Sequence, residues 1–154
     1  MFKLSKKGVS MSYKVTDDSG TQMAVLTGCG KGQTGEVEVA GSSLVFTPLG
    51  GAWNFQMTNN GELVGTAERA QVGKRFVIEH DGRVIELDCQ SVRSKPYDVT
   101  WDGETVGLIS LSKFTGRVVT VDLPNAIALE ARLFAGWLAL RTWNTGAELK
   151  VHSQ

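Results

Sequence analysis

The chain has 154 residues, of which 42% are hydrophobic and 21% are charged, a composition typical of one globular domain. Sixteen Lys and Arg balance sixteen Asp and Glu, and the resulting net charge of zero argues against a dedicated nucleic-acid-binding protein, which usually has a basic excess. The two cysteines, Cys29 and Cys89, form no CxxC pair and have no histidine at ligand spacing. A zinc site is therefore not expected.

The N-terminal residues Met1 to Lys7 are charged and contain no apolar segment of the kind that signal peptides have. We therefore expect a cytoplasmic protein, in which the two cysteines are small buried or half-buried thiols. Residues 1–11 are predicted to form a flexible N-terminal tail in front of the folded domain.

Turn glycines recur about every 21 residues, which is close to the length of two short strands plus two turns. Pairs such as Asn60-Gly61 and Asp102-Gly103 favour type I′ hairpin turns, because both central residues then need φ > 0. The glycines are Gly20, Gly41, Gly61, Gly82 and Gly103. Strand-like segments flank them, which predicts five hairpins and an eleventh strand. The predicted strands are 12–16, 22–26, 35–39, 44–47, 53–57, 63–67, 75–79, 84–88, 97–101, 105–110 and 117–122.

A helix is predicted over residues 125–143, where the hairpin pattern stops at Pro124 and Ala and Leu become frequent. The segment 133–140 is apolar on every side, which is typical of a helix buried in a core or a membrane. The charged residues Glu130, Arg132 and Arg141 leave too short an uncharged run for a transmembrane span, which needs about 20 residues. We therefore predict a mainly β protein, an antiparallel closed or nearly closed barrel of about 11–12 strands around one hydrophobic C-terminal helix. Residues 12–144 form the domain and 145–154 a C-terminal tail.

A series of hairpins followed by one apolar helix resembles the tubby-like superfamily, which includes the tubby C-terminal domain, the phospholipid scramblases and the LURP-one-related proteins. The stretches that carry the resemblance are Tyr13–Gly20, Trp53–Met57, Asn60–Gly65, Tyr97–Ile109 and the helix after Pro124. The phrase G-x-x-V-G follows two of the turns, at Gly61–Gly65 and Gly103–Gly107. The resemblance implies a closed barrel of about twelve strands that wraps the helix.

The resemblance also implies a role at membranes, because tubby domains bind phosphoinositide head groups through paired basic residues and scramblases act on bilayers. The acidic calcium-binding segment proposed in scramblases is not clearly present, since Val121–Asn125 contains a single acid, Asp122. A calcium-dependent function is therefore not expected.

Lys74 and Arg75 are the most notable basic pair, because two adjacent cations at a strand start can bind a phosphate. Arg83 on the neighbouring strand, with Arg93 and Lys95 in the next turn, would extend them into a positive patch. We predict anionic-ligand binding by these five residues. The alternative is a set of solvated charges that protect strand ends.

No nucleophile–base pair or metal-ligand set is present in the sequence, so we expect neither an enzyme nor a cofactor. His80 lies between Glu79 and Asp81, but a single histidine at a hairpin turn is more typical of a structural or solvated side chain. The predicted function is a non-catalytic binding or scaffold module of the tubby and scramblase type that recognises anionic phospholipid head groups, peripherally at the membrane. The alternatives are a carrier of a small apolar ligand, with a cavity in the barrel, and a protein–protein interaction domain. No nucleic-acid partner is expected.

Overall fold

The computed structural model describes residues 1–6, 11–30, 32–50, 54–70, 75–89, 96–112 and 118–152, with side chains described up to Trp143. The described chain forms twelve strands and one helix. They are β1 (Phe2–Lys6), β2 (Tyr13–Thr16), β3 (Gln22–Leu26), β4 (Gly35–Val39), β5 (Ser42–Pro48), β6 (Asn54–Asn59), β7 (Glu62–Arg69), β8 (Phe76–His80), β9 (Arg83–Asp88), β10 (Tyr97–Trp101), β11 (Glu104–Leu111), β12 (Val118–Asp122) and α1 (Leu129–His152).

All twelve strands belong to one antiparallel sheet, in which strands adjacent in the sequence pair with each other, except β3 and β4, and β1 pairs with β12. The sheet is nearly closed into a barrel, because the remaining edges, β3 and β4, are joined by a single bridge between Thr27 and Glu36. The predicted fold class, a mainly β antiparallel barrel with one C-terminal helix, is confirmed.

Four hairpins turn on two residues, and the first residue of each turn has a positive φ. The values are 49° at Ala40, 51° at Asn60, 52° at Asp81 and 50° at Asp102, and each residue is followed by a glycine. Both central residues of a type I′ turn need this conformation, which Asn, Asp and Gly adopt at the lowest cost. The Asn-Gly and Asp-Gly pairs of the sequence therefore mark hairpins directly.

A β-bulge explains the G-x-x-V-G phrase. Val64 and Val106 are each an extra residue that has no partner across the hairpin, and Met23 has the same position in the β2–β3 hairpin. The glycine after the second bulge lies against the next strand, since a Cβ atom on Gly107 would lie only 2.0 Å from the Asp122 carbonyl oxygen. Bulges bend and twist strands, so these three bulges help the sheet to curve into a barrel.

Helix α1 lies inside the barrel and supplies much of its core. Leu133, Phe134, Trp137 and Leu138 are all 0% exposed. The ring of Phe134 stacks on Phe46 with centroids 5.3 Å apart. A helix that is apolar on every side is stable in water only when it is covered on every side, as the strands cover this one.

Two boundaries of the predicted domain are wrong. Residues 2–6 are not a tail but strand β1, in which Phe2 and Leu4 point into the core while Lys3 points outward. Alternation over five residues is too short a pattern to distinguish a strand from a tail. The helix begins at Leu129, after a turn in which the Ile127 N–H donates to the Pro124 carbonyl, and it continues to His152 instead of ending at residue 143.

Candidate functional site: the basic end of the barrel

The strand order sorts the connecting segments into two groups, because successive antiparallel strands enter and leave at opposite ends of the barrel. One end receives the connections 7–12, 27–34, 49–53, 70–75, 89–96 and 112–117. The other end receives 17–21, 40–41, 60–61, 81–82, 102–103 and 123–128, and helix α1 starts there.

The two groups of connections have opposite charge. By sequence, the first contains no Asp or Glu, and its cations are Lys7, Lys31, Lys74, Arg75, Arg93, Lys95, Lys113 and Arg117, of which only Arg75 lies within the described residues. The second contains no Lys or Arg, and its acids are Asp17, Asp18, Asp81 and Asp102. We call these two groups the basic end and the acidic end. The sequence, placed on the order of the described strands, thus assigns the cations and acids of the connections to opposite ends of the barrel.

Two arginines in regular elements add to the basic end. Arg69 is the last residue of β7, and its Cζ lies 6.0 Å from the centre of the Phe76 ring. Arg141 on α1 lies 4.9 Å from the centre of the Phe55 ring by the same measure. The two rings are neighbours, with centroids 6.0 Å apart. Aromatic faces attract guanidinium groups, so this ring pair holds both arginines at the mouth of the barrel.

The electrostatics of this pair favour an anionic ligand. Burial lowers the pKa of Arg141, and the nearby positive charge of Arg69 lowers it further. An arginine stays protonated even so. Two like charges therefore lie close enough to interact in a partly desolvated place, where an anionic group would be attracted to both.

Tyr97 completes the inner wall of the basic end. Its ring centre lies 6.2 Å from that of Phe76 and 5.9 Å from that of Trp143 on the helix. Burial, above all, raises the pKa of the Tyr97 hydroxyl further above its ordinary value of 10.0, so this group is protonated at neutral pH with a wide margin. A protonated phenol is a hydrogen-bond donor, as an anion site requires.

Of the five residues predicted as the anionic site, the structure describes Arg75 and Arg83, and these two lie at opposite ends of the barrel. Arg75 precedes β8 at the basic end and forms an ion pair with Glu86, with 2.6 Å between Nη2 and Oε1. Arg83 lies at the acidic end, where its Cζ is 4.3 Å from the Trp101 ring centre and its Nε is 3.8 Å from Asp102 Oδ2. Lys74, Arg93 and Lys95 lie outside the described residues, in connections that the sequence assigns to the basic end.

Sequence reasoning missed Arg69 and Arg141. The two are far apart in the chain and meet only because α1 runs the length of the barrel. One signal was available, since Arg141 is the first charge after the apolar run 133–140 and therefore marks where the helix reaches the opposite mouth.

His80 joins the helix to the barrel at the acidic end. Its Nε2 lies 2.9 Å from Glu130 Oε1, and Asn59 Nδ2 donates to the other oxygen of Glu130 at 3.2 Å. Glu130 is in the first helical turn, where a negative charge is favourable. This environment gives His80 a structural role.

Across the described part of the chain, no three His, Cys, Asp or Glu side chains converge as a metal site would require. Helix α1, as far as it is described, is not apolar enough over its length to cross a bilayer. Comparisons of the chain with protein-family models, with curated proteins and with solved structures found no match.

Proposed function

We propose that this protein is a non-catalytic binding module that docks its basic end on membranes containing anionic phospholipids. The observation that carries the proposal is the separation of charge on a neutral chain, with cations in the connections at one end of the barrel and acids in those at the other. Membership of the tubby-like superfamily is part of the proposal, and the barrel around one hydrophobic helix supports it.

The charge separation would both attract and orient the protein. Each Lys or Arg near an anionic leaflet contributes about 1 kcal/mol, and the attraction acts over about one Debye length. The four aspartates of the acidic end are repelled by the same surface, so the basic end turns toward the lipid. A net charge of zero does not weaken this effect, because the two ends lie at different distances from the membrane.

Arg69 and Arg141 would supply a local contact for one head-group phosphate. A guanidinium binds phosphate through two parallel hydrogen bonds, more directionally than an ammonium group does. The aromatic rings beneath both arginines restrict where the guanidinium groups can lie. Fewer rotamers are then lost when a phosphate binds.

A carrier of an apolar ligand is less well supported, because the helix occupies the interior that such a ligand would need. Phe134 and Trp137 are fully buried there, and both pack on the Phe46 ring. Close packing of this kind leaves little room for a ligand in a barrel core.

Co-sedimentation with liposomes tests the proposal. Vesicles of phosphatidylcholine alone are compared with vesicles that also contain phosphatidylserine or a phosphoinositide, at about 0.1 M and about 0.5 M salt. We expect binding only to the anionic vesicles, weakened at the higher salt. Binding to neither anionic composition would refute the lipid proposal and would favour a protein partner.

A pair of charge reversals distinguishes an oriented contact from simple charge attraction. Lys74→Glu at the basic end and Arg83→Glu at the acidic end change the net charge equally. We expect the first variant to lose most of its vesicle binding and the second to retain it. Equal losses would contradict docking by the basic end.

A further inference from the structure

Asn60 and Asp102 occupy the same position in two hairpins of the barrel. Each is the first residue of a two-residue turn and is followed by a glycine, and their φ values are 51° and 50°. Both turns lie at the acidic end. The two residues differ only in the group that the side chain carries, a carboxamide in one and a carboxylate in the other. The protein therefore contains a direct comparison of these two groups at one turn position.

Both residues extend a ladder by one residue pair through the same two hydrogen bonds. The Asn60 N–H donates to the Ser43 carbonyl oxygen at 2.9 Å, and Asn60 Oδ1 accepts from the Ser43 N–H at 2.9 Å. Likewise, the Asp102 N–H donates to the Val84 carbonyl oxygen at 2.9 Å, and Asp102 Oδ1 accepts from the Val84 N–H at 3.1 Å. We call this pair of bonds the clasp. Its side-chain bond needs only one acceptor oxygen, which a carboxylate provides as well as a carboxamide does.

Asn60 is also the one asparagine of the sequence that precedes a glycine. A side chain on the following residue hinders attack of that residue's main-chain nitrogen on the carboxamide, and glycine has none. Gly61 is exposed, and a Cβ atom built on it would meet no atom within 4 Å. Its nitrogen makes no hydrogen bond within the part of the chain that the structure describes. The described surroundings of the turn therefore leave the Gly61 nitrogen accessible.

We propose that Asn60 is a site of spontaneous deamidation, at a rate that its bond to the Ser43 N–H holds down. The Gly61 nitrogen attacks the carboxamide carbon of Asn60 and closes a five-membered succinimide ring. The carbon–nitrogen bond of the carboxamide breaks, the proton of the Gly61 nitrogen goes to the leaving group, and ammonia departs. Water then opens the ring at one of its two carbonyl groups and gives aspartate or isoaspartate. The reaction consumes one water, releases one ammonia and needs no cofactor.

The clasp slows this reaction without preventing it. While Asn60 Oδ1 accepts from the Ser43 N–H, the carboxamide is held toward β5, and it must turn before its carbon can meet the Gly61 nitrogen. A single hydrogen bond at an exposed turn opens frequently. Its loss corresponds to a reaction about tenfold slower in the folded protein than in a flexible chain.

The aspartate product fits the turn, because Asp102 already forms the same clasp with a carboxylate. Conversion of Asn60 adds an acid to the connections of the acidic end and changes the formal net charge from 0 to −1. The isoaspartate product carries the main chain through the former side chain and lengthens the turn by one carbon atom. Of the two products, aspartate is therefore the one that preserves the fold.

The test follows Asn60 by peptide mass spectrometry while the folded protein is kept at body temperature and mildly alkaline pH. We expect the mass gain of a carboxamide that becomes a carboxyl group at Asn60, and none over the same period at Asn54 or Asn125. A synthetic peptide of residues 57–64 serves as the flexible reference, and it should convert about tenfold faster. Absence of the gain at Asn60 by the time the peptide has fully converted would overturn the proposal. Equal rates in protein and peptide would also overturn it, because the bond to Ser43 would then have no effect.

Asp102→Asn is the matched variant, because it places an asparagine before a glycine in the second clasp. We expect this residue to convert back to aspartate at a rate similar to that of Asn60, and a lack of conversion would contradict the proposal. Asn60→Asp should abolish the mass gain and leave the melting temperature nearly unchanged. A marked fall in that temperature would contradict the equivalence of the two clasps. These outcomes do not depend on vesicle binding, so they stand apart from the proposed function.

Discussion

Trp137 on the central helix and Gly28 on the barrel wall are joined by a hydrogen bond of 3.0 Å from the indole nitrogen to the main-chain carbonyl. This is where the helix contacts the strand edges that fail to form a full ladder. The same indole packs on Phe46 and Phe55, with centroid distances of 5.5 and 5.8 Å. Trp137 thus connects the core to the closure of the barrel.

Replacement of Trp137 by Phe keeps a ring but removes the N–H donor. We expect the free energy of unfolding to fall by about 1–3 kcal/mol, because the Gly28 carbonyl loses its partner and the smaller ring leaves space. Urea unfolding measures this loss, and hydrogen exchange at Thr27 and Glu36 should become faster. Trp101→Phe, at a half-buried ring near Arg83, is the control and should cost under about 1 kcal/mol. Equal losses would contradict the role of the Gly28 bond.

Truncation of Leu133 to Ala tests the placement of the helix inside the barrel. Leu133 is 0% exposed, so we expect a loss of about 2–5 kcal/mol from the lost burial and the cavity. Leu63→Ala makes the same chemical change at a side chain that is 60% exposed, and it should cost under about 0.5 kcal/mol. Chemical denaturation of both variants gives the comparison, and a loss under about 1 kcal/mol at Leu133 would place the helix outside the core.

A methyl group at Gly107 tests the bulge beside β12. The new Cβ would lie 2.0 Å from the Asp122 carbonyl oxygen and 2.9 Å from a methyl carbon of Leu123, so the backbone must move. We expect Gly107→Ala to destabilise the protein by more than about 2 kcal/mol. Gly103→Ala has open space around it and differs only by a positive φ of 88°, so about 1 kcal/mol is expected. The melting temperatures of the two variants give the comparison, and Gly107→Ala should have the lower one. A lower melting temperature for Gly103→Ala would contradict the close contact at Gly107.

Stability should fall at alkaline pH. Burial raises the pKa of the Cys29 thiol from 9.0 to about 12, and burial likewise raises the pKa of the Tyr97 hydroxyl. The unfolded chain releases these protons before the folded protein does, so their contribution is complete below about pH 9 and is lost as the pH rises toward about 12. Cys29 contributes a slope of about 1.4 kcal/mol per pH unit in that range, and the contribution of Tyr97 begins to be lost only above its ordinary pKa of 10.0. In urea titrations from about pH 8 to 11, Cys29→Ala should have a shallower slope. The same slope as wild type would contradict the raised pKa.

Adjacent residues in the sequence were enough to predict the hairpins. Contacts between residues far apart in the chain could not be predicted in the same way. Asn60-Gly61 and Asp102-Gly103 require their turn conformations wherever they occur, so a repeated spacing was enough to place the strands. Strand β1 was missed because its alternation is short and one of its two partner strands, β12, lies at the far end of the chain. The incomplete pairing of β3 with β4 likewise could not be predicted from either strand, since the sequence of each is compatible with a full ladder.

The candidate site was predicted in part for a related reason. Lys74 with Arg75 and Arg93 with Lys95 are close in the chain, and their connections belong to the same end of the barrel. Arg83 is also close in sequence, but one strand length separates it from them, because β8 carries the chain to the opposite end. In an antiparallel sheet, two connections lie at the same end when an even number of strands separates them and at opposite ends when the number is odd. A search for charged residues that are close in sequence does not take this into account.

The central position of the last element has a consequence for how the protein is made. The inner faces of the strands are complete once Asp122 has been synthesised, yet they remain a hollow apolar shell until Leu133, Phe134 and Trp137 leave the ribosome. Pairing of β1 with β12 also joins the first strand to the last, a contact between residues far apart in sequence that forms slowly. Folding of the barrel therefore waits until the helix has been synthesised, because the sheet has an unfilled apolar interior before that point.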